Sequence, residues 1–269
     1  MAIAPVSRVI GQHLNRAWRL VATGLSFAIF GIGGVIIPPL AAPWIRLTSR
    51  TDAERQMRAR LFIHRTFYAY IHMMRALGVL TWKVEGEELL RRPGLLVLAN
   101  HPCLIDVVFL IAFIPNPDCI VKGRLLANPA MRGYLRLTGF LRNDSGAELI
   151  EGARLSLAAG SALIIFPEGT RTVPGEPLRF QRGAANVALR THTPVTPVTI
   201  RCEPITLTKK HRWYHVPPRK IHMTLQVGAD IPVSTYVQQQ PALAARQLTQ
   251  DLQDYFTEEV RAHDKPSYR

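Results

Sequence analysis

The longest uncharged stretch of the chain lies between Arg19 and Arg46. Residues 20–45 read LVATGLSFAIFGIGGVIIPPLAAPWI, and so many adjacent apolar side chains must be removed from water by a membrane or a large core. A helix that spans a bilayer needs about 20 apolar residues, so the length suffices. A cleavable signal peptide is the competing interpretation, but its apolar part would be only about 7–15 residues long. The sequence therefore predicts that this segment inserts into a membrane.

The flanks of the segment leave its topology open. Three Arg precede it within residues 8–19, and five Arg follow it within residues 46–60. Basic residues on both sides weaken the rule that the more basic flank stays in the cytoplasm. The glycines within residues 31–34 and the Pro38-Pro39 pair could divide the segment into two short helices that dip into one leaflet. A single span with its more basic flank in the cytoplasm fits equally well.

The net charge is strongly positive, because 33 Lys and Arg stand against 19 Asp and Glu. A charge of +14 favours an anionic partner, namely nucleic acid, an acidic membrane surface or a phosphorylated substrate. Residues 52–77 predict a helix rich in Arg and aromatic residues. Its basic side would lie among lipid headgroups, or in solvent if its apolar side packs on a core. The three cysteines have neither disulfide nor zinc-site spacing, so no metal is expected.

After residue 80, short apolar runs alternate with helical stretches. Runs such as LLVLA and ALIIF are apolar on both faces, which is typical of a buried sheet covered by helices. The alternation predicts an α/β domain over residues 78–269, with a mixed, mostly parallel central sheet flanked by helices. Residues 1–77 would form a separate N-terminal membrane-inserted part. Strands are predicted over residues 81–84, 95–99, 119–121, 161–166, 195–201 and 221–227. Helices are predicted near residues 104–113, 129–137, 147–159, 182–191 and 241–261.

The strand over residues 95–99 ends at Asn100-His101, and Asp106 follows five residues later. In open α/β sheets, sites gather at the carboxyl ends of strands. On one straight helix, five residues correspond to about 140° of rotation, which would keep His101 and Asp106 apart. They can meet if His101 lies in the strand-to-helix turn, which Pro102 favours, and Asp106 begins the helix. Such a pair lets the carboxylate orient the imidazole, which then takes a proton from a hydroxyl. An isolated pair at this spacing would more often be incidental.

A second motif follows the strand over residues 161–166. It reads Phe166-Pro167-Glu168-Gly169-Thr170-Arg171 and offers a flexible glycine, a hydroxyl, a carboxylate and an Arg. A guanidinium is well shaped for two-pronged contact with a phosphate. A solvated Pro-Gly turn is the alternative for this motif taken alone.

With these residues the sequence resembles the glycerolipid acyltransferases, in particular the 1-acyl-sn-glycerol-3-phosphate and lysophospholipid acyltransferases. The first block is Asn100-His101 through Asp106, and the third is Phe166 through Arg171. Residues 122–142 resemble the second block, and Val195-Thr196-Pro197-Val198 resembles the fourth. The resemblance covers about residues 80–205 and implies a glycerol-3-phosphate acyltransferase-like α/β fold.

The resemblance also implies a mechanism of direct acyl transfer without a covalent acyl-enzyme. His101 would be the general base and Asp106 its orienting carboxylate. The acceptor's polar head would be held by residues of the second and third blocks: Glu168, Gly169, Thr170, Arg171, Arg142 and Lys122. Cys103 is not expected to be a nucleophile, because no second His is evident to serve it.

The expected partners are membrane lipids, a lysophospholipid acceptor and an acyl thioester of coenzyme A or acyl-carrier protein, with no cofactor and no nucleic acid. We expect an inner-membrane protein whose catalytic domain faces the cytoplasm. An acyltransferase acting on a different hydroxylated lipid stays open, as does a non-catalytic basic protein that binds membrane lipids. A serine hydrolase is disfavoured because the sequence has no GxSxG motif.

Overall fold

The structure is a computed structural model that describes residues 6–143 and 146–263. Two long helices form its N-terminal part, α1 (Val6–Thr48) and α2 (Asp52–Ala76). Thr51 sets the start of α2, because its hydroxyl accepts a hydrogen bond of 3.1 Å from the backbone N–H of Glu54. Residues 49–51 connect the two helices, which pack against each other as a helical hairpin.

The sequence left open whether this segment forms two short helices or one span, and in the structure α1 is one continuous helix. Its residues stay helical through Pro38, Pro39 and Pro43, although each proline removes a backbone hydrogen bond. A crossing helix accounts for this continuity, because Pro38 packs against Gly133 of a helix in the α/β domain. The segment Leu14–Thr48 is long and apolar enough to cross a membrane, judged by length and composition alone.

The following elements alternate between strands and helices. In chain order they are β1 (Leu80–Glu85), β2 (Leu96–Ala99), α3 (Asp106–Phe113), β3 (Pro117–Cys119), α4 (Pro129–Thr138), α5 (Gly146–Ala158), β4 (Ala162–Ile165), α6 (Arg182–Thr191), β5 (Val195–Glu203), β6 (Ile221–Val227), α7 (Ser234–Val237) and α8 (Pro241–His263). Two 3₁₀ turns, Glu87–Arg91 and Gly123–Ala127, complete the elements assigned in the described ranges. The sequence did not predict these turns or α7, because such short pieces carry too few residues for a periodic pattern.

The six strands form one sheet in the order β1-β6-β5-β2-β4-β3. Neighbouring strands run parallel except β5 and β6, which are antiparallel. The predicted mixed, mostly parallel sheet is therefore confirmed. The carboxyl ends of β5, β2, β4 and β3 lie in a row along one edge, so the loops that follow these strands meet there.

Both faces of the sheet are covered by helices. Along β2, Leu96 and Leu98 face one core, whereas Val97 and Ala99 face the other. Helices α2 and α3 contribute to the Val97 side, and α5, α6 and α8 contribute to the Leu96 side. On α8, Leu248, Leu252 and Phe256 are buried in this core, whereas Leu243 is exposed.

For α2 the sequence left two environments open, the lipid headgroup layer or a position packed on the protein core. Ile63, Phe67, Ile71 and Met74 are almost fully buried in the core shared with the sheet. This side of α2 is therefore packed on the α/β domain. The predicted boundary at residue 77 separates the helical hairpin from β1 in sequence, but the core is continuous across it.

Candidate active site

Asn100 fixes the place where the chain leaves β2. Its side-chain amide donates to the carbonyl of Ile200 at 2.9 Å, and its side-chain oxygen accepts from the N–H of Ile200 at 2.7 Å. Ile200 lies on β5, just beyond the last paired residues Ala99 and Val198. The buried Asn100 amide thus continues the strand pairing by one more step, and His101 leaves the sheet at a defined position.

His101 and Asp106 are in direct contact. His101 Nδ1 lies 2.9 Å from Asp106 Oδ2, and Asp106 is the first residue of α3. The Asp106 side chain is fully buried, whereas the His101 side chain is 19% exposed. The ring of Phe166, the residue directly after β4, stacks on the imidazole with a centroid distance of 4.4 Å. The imidazole therefore has one edge on a buried carboxylate and one face on an aromatic ring.

Cys103 also contacts the Asp106 carboxylate. Its backbone N–H donates to Oδ2 at 2.7 Å, and its thiol donates to Oδ1 at 2.8 Å. Burial raises the pKa of the Cys103 thiol well above its ordinary value, and the negative charge of Asp106 adds to this rise. The thiol thus acts as a hydrogen-bond donor that helps to hold Asp106, and that it is not a nucleophile stays a prediction.

The predicted acceptor loop is tied to His101 through Glu168. Its Oε1 atom accepts from the His101 N–H at 2.9 Å and from the Thr172 hydroxyl at 2.8 Å. Thr172 in turn donates its N–H to the His101 carbonyl at 2.7 Å. Burial raises the pKa of Glu168, although the two donated hydrogen bonds oppose that rise. Gly169, between Glu168 and Thr172, adopts a φ of 64°, a left-handed conformation that favours glycine.

Arg171 reaches the segment that follows β5. Its Nη1 atom donates to the carbonyls of Leu207 at 2.8 Å and Thr208 at 3.1 Å. The backbone N–H of Leu104 donates to the same Leu207 carbonyl at 3.2 Å. Gly169 and Thr170 are exposed beside Arg171. The loops that follow β2, β4 and β5 are therefore bonded to one another around His101.

Lys122 and Arg142 lie at the neighbouring end of β3. The chain continues past this strand to Val121, whose backbone pairs with residues 141–143. Both side chains are exposed on the same edge of the sheet as His101, but two strands further along. The structure thus brings all eight predicted site residues to one edge, with Lys122 and Arg142 furthest from the His101–Asp106 pair in strand order. Their roles in substrate binding stay predictions.

Sequence reasoning did not assign roles to Asn100, Phe166 or Leu207. Asn100 carried a usable signal, because an amide directly after a buried strand needs partners for its donors and acceptor. The contacts of Leu207 carried no such signal, since they join it to Leu104 and Arg171, which belong to loops much earlier in the chain. Within residues 6–143 and 146–263, no group of His, Cys, Asp or Glu is arranged to hold a metal ion.

The central part of the chain matches a known protein family. Residues 81–201 match the family model described as Acyltransferase. The resemblance inferred from the motifs is therefore confirmed.

Named relatives make the comparison more specific. The 1-acyl-sn-glycerol-3-phosphate acyltransferase of Saccharomyces cerevisiae is 32% identical over 202 residues, which are 71% of this chain and 62% of that protein. The enzyme of the same name from Limnanthes douglasii is 25% identical over 159 residues, which are 50% of this chain and 56% of that protein. The chain thus spans less than two thirds of the length of either relative.

One solved structure shows the same fold. The 1-acyl-sn-glycerophosphate (LPA) acyltransferase PlsC from Thermotoga maritima superposes with a TM-score of 0.68 at 20% identity. The match covers 93% of this chain and 100% of that one. The fold class predicted from the sequence is therefore shared with an acyltransferase, including the N-terminal helical part.

Proposed function

We propose that the chain transfers a fatty acyl group from a thioester to the free hydroxyl of a lysophospholipid. The proposed acceptor is 1-acyl-sn-glycerol-3-phosphate, and the product is phosphatidic acid. The observation that carries the proposal is the 2.9 Å contact between His101 Nδ1 and the buried carboxylate of Asp106, in the part of the chain that matches the Acyltransferase family model. The names of its relatives support the choice of acceptor.

The chemistry follows from the two ring nitrogens of His101. Nδ1 is held by Asp106, so Nε2 takes the proton of the acceptor hydroxyl. The hydroxyl oxygen attacks the thioester carbonyl carbon, and a tetrahedral intermediate forms. When its carbon–sulfur bond breaks, the leaving thiolate receives the proton from the imidazolium. Asp106 stabilises that imidazolium because its carboxylate is shielded from water.

Arg171 is the proposed contact for the acceptor phosphate. A guanidinium has five N–H donors, and the carbonyls of Leu207 and Thr208 engage Nη1. The remaining donors suit a phosphate bound beside the exposed Gly169 and Thr170. Glu168 fixes this loop through its hydrogen bonds with His101 and Thr172. Lys122 and Arg142 add positive charge at the same edge of the sheet.

The acyl donor is a thioester of coenzyme A or of acyl-carrier protein, and either provides the same carbonyl to the attacking hydroxyl. We propose that the chain works at the inner membrane with its α/β domain on the cytoplasmic side. Large apolar side chains of α1, among them Leu40, Trp44 and Leu47, are more than two-thirds exposed and support a membrane location.

The decisive experiment compares membranes that contain the wild type, His101→Ala, Asp106→Asn or Asp254→Asn. Radiolabelled acyl-CoA or acyl-carrier protein is supplied with a panel of lysolipids, and labelled product is quantified. Loss of the general base is expected to reduce the rate by about 10²–10⁴-fold. Asp254 is an exposed residue of α8, so Asp254→Asn is expected to keep the wild-type rate. Equal rates in the wild type and His101→Ala would refute the mechanism.

The acceptor assignment has a separate test. If Arg171 binds the phosphate, Arg171→Ala should raise the KM for lysophosphatidic acid and leave the KM for the donor unchanged. An acceptor without a phosphate should be used equally poorly by both proteins. A change confined to the donor KM would contradict this role of Arg171.

A further inference from the structure

The segment between β5 and β6, residues 204–220, is the most basic loop of the described chain and is here called the basic loop. It reads PITLTKKHRWYHVPPRK and has five Lys or Arg, two His and no acidic residue. The cationic side chains are all exposed: Lys209, Lys210, Arg212, Arg219 and Lys220. Trp213 and Tyr214 are also exposed, by 46% and 43%. Neither the cations nor the aromatic residues of this loop are used by the proposed acyl transfer.

The basic loop packs against the N-terminal half of α1. The Trp213 ring lies beside Gly24, where an added side-chain carbon would be 3.1 Å from it, and its centroid lies 6.2 Å from that of Phe27. The guanidinium of Arg19 donates to the carbonyls of Pro217 at 3.0 Å and Pro218 at 2.7 Å. The loop is therefore held against the apolar helix at two places, and its cations are presented beside that helix.

The adjacent surface of α1 is apolar. The large exposed side chains of its N-terminal half are Leu14, Trp18, Leu20, Val21 and Leu25. A groove between the two elements is lined by Arg16, Ala17, Leu20, Tyr214 and Val216. Through this groove the apolar N-terminal half of α1 adjoins the exposed aromatic rings and the cations of the basic loop.

This combination matches the interfacial layer of a membrane that contains anionic lipids. Trp and Tyr prefer the depth of the headgroups, and Lys and Arg near an anionic surface each strengthen binding. An acidic protein such as an acyl-carrier protein would also attract the charge. The exposed apolar strip of α1 beside the cations favours lipid, because it offers burial that a polar carrier surface does not match.

We propose that the basic loop and the N-terminal half of α1 together bind the anionic headgroup layer of the membrane. The loop is hydrogen-bonded to Arg171 and Leu104 through the carbonyl of Leu207. Binding of the loop to the membrane therefore places the loops around His101 close to the lipid surface. The surface consists of the loop and the helix, and its binding does not depend on the proposed acyl transfer.

The test measures partition of the full-length purified chain onto sucrose-loaded vesicles. Vesicles of phosphatidylcholine alone are compared with vesicles that contain 30 mol% phosphatidylglycerol, because α1 is expected to bind both. In the triple variant Lys209→Gln/Lys210→Gln/Arg212→Gln, the preference for the anionic vesicles should decrease by about a hundredfold, since three cations are removed and each contributes about a factor of five. High salt should weaken the wild-type preference in the same direction.

A control variant removes the same charge from the opposite face of the sheet. Arg190, Arg246 and Arg261 are exposed on α6 and α8, and their triple change to Gln should alter the preference less than twofold. Circular dichroism and the thermal midpoint verify that both variants are folded. As a second readout, brominated phosphatidylglycerol should quench wild-type tryptophan fluorescence more strongly than that of Trp213→Phe.

Three results would overturn the proposal. The loop variant could keep the full preference for anionic vesicles, or both triple variants could lose it equally. The loop variant could also bind vesicles normally but lose acyl transfer from acyl-carrier protein and not from acyl-CoA, which would make the loop a carrier-protein surface. Loss of activity in His101→Ala with normal vesicle binding would leave this proposal supported.

Discussion

The Glu168 carboxylate accepts a hydrogen bond from the backbone N–H of His101 at 2.9 Å and so joins the two motif loops. The same oxygen holds the Thr172 hydroxyl, and the Thr172 N–H holds the His101 carbonyl. The backbone of His101 is thus fixed on both sides by a loop that lies more than 60 residues later in the chain. Glu168 therefore positions the imidazole as well as belonging to the predicted acceptor loop.

The raised pKa of Glu168 makes its contribution to stability depend on pH. A raised native pKa means that the folded chain binds this proton more tightly than the unfolded chain. Its stabilising contribution is fully present below the ordinary pKa of Glu and is lost as the pH rises through the native pKa. Because Glu168→Gln removes this titration, the thermal midpoint of the variant relative to the wild type should increase from pH 4 to pH 7.

The measurement is a pair of thermal unfolding series in detergent micelles over that pH range. Glu148→Gln, at an exposed site on α5, is the control. A difference between Glu168→Gln and the wild type that stays constant or decreases with rising pH would show that burial does not dominate the Glu168 environment.

The Cys103 thiol is expected to matter as a donor to Asp106 and not as a nucleophile. Cys103→Ser keeps a donor, so its kcat should stay within about threefold of wild type. Cys103→Ala loses the bond, and a hydrogen bond to a charged group contributes about 1.5–3 kcal/mol, so kcat should decrease by about tenfold or more. Initial rates at saturating substrate measure this effect. Equal inactivation of the Ser and Ala variants would instead indicate a nucleophilic thiol.

Gly34 is expected to control the crossing of α1 and α4. A side-chain carbon at Gly34 would collide with the backbone of Ala130, which cannot move aside as a side chain could. Gly34→Ala should therefore destabilise the fold by about 1–3 kcal/mol, as overpacking does. Gly31 is the matched control on the same helix, because no atom lies within 4 Å of a carbon added there. Thermal unfolding in micelles distinguishes the variants, and equal midpoints would contradict the close crossing.

A buried ion pair attaches α2 to the edge of the sheet. Arg60 Nη2 lies 2.6 Å from Asp118 Oδ2, and the same carboxylate oxygen accepts from the hydroxyl of Ser156 at 2.6 Å. Arg60→Met leaves a buried carboxylate without its cation, which should cost about 3–5 kcal/mol of unfolding free energy. Arg60→Met/Asp118→Leu should recover part of this loss. Denaturant titration in micelles measures both, and a double variant less stable than the single one would contradict the pairing.

The local elements were largely predictable because their patterns lie within short windows of sequence. The periodicity of residues 129–137 and 182–191 predicted helices that differ from α4 and α6 by at most one residue. The end of β2 before His101 followed from the apolar run and from Pro102. The continuity of α1 was not predictable, because the cost of its prolines is offset by packing against α4.

The sequence by itself determined the chemistry of the site: an imidazole, a carboxylate and an Arg at the ends of two buried strands. Only the tertiary structure decided how these groups are held. Asn100 bonds to β5, Glu168 bonds to the backbone of His101, and Arg171 bonds to the basic loop. The physical reason is distance along the chain. Residue type and local spacing define which atoms can react, whereas hydrogen bonds between residues 36–100 positions apart exist only after the parallel strands have brought their carboxyl ends together.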